Sequence, residues 1–176
     1  MKTGSLKSKS KYIIQFSGLA LGNHEFDWEL EPLFFEDENL IDILETSLSV
    51  HLWLNKTERM MSLDFHINGK IKCYCDRCGE ELWLDVDSND NLIARFGPET
   101  NFTDDEVIFL SPAEYELDVR QFIYEFVLIG LPARKTHEEG KCNSEVLEYL
   151  TETEVKEESN DKDPRWKALE KLKKDV

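Results

Sequence analysis

Basic residues are scarce in this chain of 176 residues: 21 lysines and arginines stand against 37 aspartates and glutamates, a formal net charge of -16. A field of that sign repels phosphate backbones and disfavours non-specific nucleic-acid binding, while it attracts basic partners and keeps a protein soluble. Long apolar runs are also missing. The longest, Phe126 to Leu131, falls far short of the about 20 residues a membrane-crossing helix needs, so no membrane partner is expected. The start, Met1 to Lys11, is basic and serine-rich without an apolar stretch, which leaves no secretory signal and points to the cytoplasm. There are only 4 cysteines; in a reducing compartment they read as metal ligands or reactive thiols rather than a disulfide framework. No phosphate-binding glycine loop, no dinucleotide fingerprint, no nucleophile elbow and no H-E-x-x-H motif is present, so the common mechanistic motifs give no enzyme.

What is present begins with alternation. A short strand is expected over Lys11–Phe16. His24, Phe26, Trp28 and Leu30 then alternate with polar residues, the period of a half-buried strand. Leu48–Leu54 and Met61–Ile67 continue the pattern. Asn68-Gly69 is a hairpin signal that would return the chain along Lys70–Cys75. Leu82–Val86 and Leu92–Phe96 read as two more strands. Together these predict an α+β fold: an antiparallel meander or partly closed barrel, followed by one helix. Trp28, Trp53, Trp83 and Phe96 are expected to fill its core. His24, His51 and His66 lie in strand patterns and read as surface or satisfied histidines, with His51 and His66 possible cross-strand neighbours.

The helix is marked by Asp118-Val119-Arg120-Gln121, which resembles a capping box, and by Val119, Phe122, Ile123, Phe126 and Val127 at helical spacing up to Pro132. The organisation predicted is a basic lead over 1–11, a β-rich domain over 12–137, an acidic linker over 138–163 and a short helix over 164–176. The linker carries ten acidic and three basic residues. The last helix would set Trp166, Leu169 and Leu172 on one face, with Pro164 at its entrance, as a docking surface for a partner.

Cys75-Asp76-Arg77-Cys78-Gly79 is a knuckle: two thiolates two residues apart reach one ion from a tight turn, and the glycine lets the backbone reverse. Tetrahedral zinc needs two further ligands, for which His137 and Cys142, beyond the helix, are the candidates, with Cys73 as the alternative. Reduced buried thiols or a redox pair are the competing readings, the latter disfavoured because redox motifs open a helix in a βαβ context.

The knuckle, the Asp118-Val119 lead into an apolar helix ending at Leu131-Pro132, the following His137 and Cys142, and Asp163-Pro164-Arg165-Trp166 with its spaced leucines together resemble the YceD family, over Ile71 to Leu172. Gly79 departs from the apolar residue the family often has there. The resemblance implies a bacterial or organellar protein required for accumulation of large-subunit ribosomal RNA, without known catalysis. Its implied partner is a basic ribosomal protein or a pre-large-subunit particle. Two other readings stay open: a zinc or thiol enzyme using Cys75 and Cys78, and direct RNA binding through Lys70, Lys72, Arg77 and Arg95.

Overall fold

Apolar alternation builds one large sheet. A computed structural model describes residues 10–35, 43–102 and 107–152. Strands β2 (Gly22–Leu30), β3 (Glu45–Lys56), β4 (Met60–Tyr74), β5 (Glu81–Phe96) and β6 (Val107–Leu110) form a five-stranded sheet in that order. The first four are antiparallel neighbours, whereas β6 runs parallel to β5. A second, two-stranded sheet pairs β1 (Ile13–Ile14) with β7 (Leu117–Asp118). Helix α1 (Arg120–Gly130) and helix α2 (Ser144–Glu152) complete the α+β fold. The sheet is open, with β2 and β6 at its edges, so the expected barrel does not close. No helix of the described residues is long and apolar enough to cross a membrane.

The expected hairpin at Asn68-Gly69 does not form. Residues 60–74 make one continuous strand, and Gly69 lies between Leu48 of β3 and Val86 of β5. The reason is parity. Met61, Leu63, Phe65, Ile67, Ile71 and Cys73 are buried at odd positions on both sides of Gly69, which is what a single strand with one buried face requires. Gly69 is needed for close approach instead of a turn: its φ is +133°, and a Cβ there would lie 2.0 Å from the Ser47 carbonyl oxygen. The same phase argument merges the two strands expected over 82–96 into β5. The first strand is shorter than expected, its flanks taken up by single turns of 3-10 helix at Ser10–Tyr12 and Phe16–Gly18.

One face of the sheet carries the core. Leu48, Val50, Leu52, Leu63, Phe65 and Ile67 are at most 1% exposed; burying each such side chain favours folding by about 1.5–3 kcal/mol. Helix α1 lays Ile123, Phe126 and Val127 on this face, the rings of Phe126 and Phe65 meeting at 5.2 Å. The capping box does not form: Val119 is the N-cap, without a side-chain cap hydrogen bond. Asp118 Oδ1 accepts from the Arg120 backbone N–H at 2.9 Å, but the Gln121 amide donates forward to Glu125. Arg120 donates to the Phe34 carbonyl at 2.6 Å and sits over its ring, holding the 3-10 turn Pro32–Phe34 against the helix start.

Trp28 is buried as expected, but Trp53 and Trp83 are 45% and 48% exposed. They occupy odd positions in strands whose buried residues are even, so they project from the opposite face of the sheet. His51 and His66 are cross-strand partners on that same face.

Candidate metal centre

The turn between β4 and β5 is the knuckle. Cys75 N–H donates to the Glu80 carbonyl at 2.8 Å and Gly79 N–H to the Cys75 carbonyl at 2.9 Å, with Gly79 at φ +74°. Fifteen residue pairs, from Met60 with Arg95 to Tyr74 with Glu81, join β4 to β5 and stiffen its base. Beyond α1 the chain returns to it. Asp76 N–H donates to the Lys135 carbonyl, the Lys135 N–H donates to Asp76 Oδ2, both at 2.7 Å, and the Lys135 ammonium lies 3.4 Å from Asp76 Oδ1. Farther along, Asn143 donates to the Glu80 carboxylate at 2.6 Å and accepts from the Glu145 N–H at 2.9 Å, which starts α2. These clamps set His137 and Cys142 over the knuckle.

The ligand atoms of Cys75, Cys78, His137 and Cys142 all lie within 4.8 Å of one another. Cys75 and Cys142 sulfurs are 3.9 Å apart, Cys78 Sγ is 3.5 Å from His137 Nδ1, and Cys142 Sγ is 3.9 Å from the same nitrogen. A zinc tetrahedron has edges of about 3.8 Å between sulfurs and about 3.6 Å from sulfur to nitrogen, as its bond lengths require. The three distances fit those edges. His137 Nε2 donates to the Glu81 carbonyl at 3.1 Å, which leaves Nδ1 as the lone-pair nitrogen facing the sulfurs. This is the usual outer support of a metal-bound histidine.

Two of the four groups, Cys75 and Cys78, are eased toward the ligating thiolate. Burial opposes ionisation of Cys75, but backbone N–H groups of Cys78, His137 and Arg77 overcome it and bring the thiol down to about 6. Cys78 is lowered by the backbone N–H groups of Asn143 and Glu80. Burial lowers His137, yet the Cys75 and Cys78 sulfurs win and raise it. Cys142 is pushed up by burial and by its neighbouring thiols. Three sulfurs converging on one imidazole are a donor set that a soft divalent cation stabilises.

Cys73 stands outside this group of four. It is fully buried beside Cys75, Cys142 and Leu82, and burial raises its thiol. Asp76, Lys135, Glu80 and Asn143 escaped the sequence reading; only Asn143, a helix-starting residue before a run with apolar Val146 and Leu147, carried a local signal. Part of the expected linker is also structured, since Ser144–Glu152 is helical and half-buried Leu147 packs on the thiol cluster. Trp166, Leu169 and Leu172 lie outside the described residues.

The four basic residues expected to form a strip are not brought together. Lys70 pairs with Asp85 at 3.0 Å, and Lys72 with Glu45 and Glu81 at 3.0 and 2.7 Å. Arg95 pairs in register with Met60 at one end of β4, and Arg77 lies in the turn beyond its other end.

Comparison with known proteins adds one match. A family model described as large ribosomal RNA subunit accumulation protein YceD matches residues 63–173, well over half of the chain and all four clustered ligands. None of the curated proteins and none of the solved structures compared with the chain matches it.

Proposed function

The chain belongs to the YceD family, and on that premise we propose that it is a non-catalytic assembly factor supporting accumulation of large-subunit ribosomal RNA in a reducing cytoplasm. The family match is the observation that carries the reading. The net charge of -16 supports a basic ribosomal protein, or a pre-large-subunit particle presenting one, as the direct contact. The paired state of Lys70 and Lys72 argues against phosphate binding along the sheet. We assign Trp166, Leu169 and Leu172 in the terminal segment 164–176 to docking.

Zinc fits the quartet of Cys75, Cys78, His137 and Cys142, where it would supply a cross-link between the knuckle and the segment after α1. Four protein ligands saturate a tetrahedral ion and leave no position for water or substrate, the mark of a structural site. The thiol-enzyme reading is disfavoured on the same ground.

The experiment is gradient sedimentation of the tagged protein with ribosomal precursors, paired with measurement of large-subunit RNA after depletion. Co-migration with pre-large-subunit particles and a fall in that RNA are expected. Free migration at low salt with unchanged RNA would sink the proposal. Replacing Cys75 and Cys78 by serine with loss of a redox or hydrolytic activity, while the fold and RNA level persist, would favour the enzyme reading.

A further inference from the structure

The outer face of the sheet is bare among the described residues, because α1 covers the opposite one. Four strands contribute to its centre in strict register: Asp27, His51, His66 and Asn89 form one row across β2 to β5. The rows on either side place Glu25 and Asp64 beside exposed Trp53, and Glu29 opposite Ser49 with Asp87 at the far end. No lysine or arginine stands in these three rows. The two histidines are held in place: His51 Nδ1 bonds Asp27 and its ring meets Trp53 edge-on at 4.1 Å, while His66 Nδ1 bonds Asn89 at 2.9 Å. This is a built surface of ordered polar groups about an exposed indole. By strand spacing and rise it measures about 14 Å by about 13 Å.

We infer that this face docks an extended, arginine- or lysine-rich segment of a partner protein. Such a segment complements the face in both charge and period. Side chains on one face of an extended peptide repeat every ~6.6 Å, the spacing of Glu25, Asp27 and Glu29 along β2. A basic residue at every second position therefore meets successive carboxylates, and Trp53 offers its ring face to one of the cations. The five carboxylates repel nucleic-acid phosphate. The inference rests on the reading that the partner is a basic protein, and deepens it by naming the surface.

The test is anisotropy of a fluorescent peptide of alternating arginine and serine, titrated with the full chain at low salt. Neutralising the patch with Glu25→Gln, Asp27→Asn and Asp64→Asn is expected to weaken binding about tenfold, the scale of three exposed ion pairs. Trp53→Ala alone is expected to weaken it about threefold. Glu58→Gln, Glu99→Gln and Glu139→Gln remove equal charge at exposed positions elsewhere and are expected to change it less than about twofold. Equal losses in the two triple variants would reveal general attraction and overturn the inference, as would an unaffected patch variant. A patch variant that instead loses binding to a single-stranded RNA probe, or breaks a dimer in sedimentation, gives the face to another occupant and overturns it too. All substitutions are at exposed positions, and thermal unfolding of each variant confirms the fold. Peptide binding needs no ribosome, so its failure leaves the family-based function standing, and failed co-sedimentation leaves the patch standing.

Discussion

Cys75 and Cys142, 67 positions apart in the chain, hold their sulfurs 3.9 Å apart. Nothing local brings them together. The contact closes a loop containing all of β5, β6, β7 and α1, so the four ligands meet only in the folded chain and the free energy of binding a metal there becomes folding free energy.

Zinc is expected at one ion per chain in protein purified without chelator, measured by elemental mass spectrometry. Cys78→Ser or Cys142→Ser should reduce it to a small fraction. Free zinc at about a thousand times its Kd adds about 4 kcal/mol of stability; chelation should therefore lower the melting temperature by about 10 °C. An unchanged melting curve on chelation, with no zinc found, would remove the clasp.

Asp76 ties Lys135 to the knuckle through one bond between their backbones, one from the Lys135 N–H to the Asp76 carboxylate, and an ion pair. Asp76→Ala is expected to weaken zinc affinity about 10- to 100-fold, the usual cost of losing outer support at a metal site. Competition with a chromogenic chelator reads this directly. Lys135→Ala, which spares the backbone bonds, should have a smaller effect.

Gly69 and Ser47 make contact too close for any side chain. Gly69→Ala must move the Ser47 carbonyl, 2.0 Å from the new Cβ, and hold alanine at φ +133°. Backbone strain and overpacking each cost about 1–3 kcal/mol, so a loss of about 3 kcal/mol or more is expected in urea unfolding. Gly18→Ala, with nothing within 4 Å of the new Cβ, should change stability by less than about 0.5 kcal/mol.

Alkaline unfolding should depend on Tyr12. Burial, then the Glu31 carboxylate, raise its hydroxyl above the ordinary 10.0, against a smaller lowering by Arg120. Above pH 10.0 the unfolded chain loses this proton while the folded one keeps it, so stability is complete below that pH and falls above it. Tyr12→Phe is expected to flatten the decline, measured as urea midpoints across the alkaline range. A slope identical to wild type would show that Tyr12 is not its source.

Much of the fold was legible because a strand records its buried face as parity. The odd-numbered apolar run of β4 passes through Gly69 without changing phase, and that outweighs the turn preference of Asn68-Gly69. The same rule would have placed Trp53 and Trp83 outside, since their neighbours Leu52, Leu54, Leu82 and Val86 hold the even, buried positions. Residue type favours a tryptophan core, but strand phase outweighs it here. Helix α1 was legible from its apolar spacing. Helix α2 was not, because an acidic run with Val146 and Leu147 can bury little apolar surface alone, and its start depends on Asn143 reaching Glu80 from another part of the chain.

The sequence by itself determined the donors at the centre: Cys75 and Cys78 at a spacing one ion can bridge, and His137 and Cys142 as candidates downstream. It also determined the strands, since period-two burial is written in residue order. Only the tertiary structure decided that His137 and Cys142 reach the knuckle while Cys73 does not, because that meeting depends on clamps between Asp76 and Lys135 and between Glu80 and Asn143. It also decided which sheet face stays bare. Alternation shows that a strand has two faces; where α1 packs decides which of them water sees.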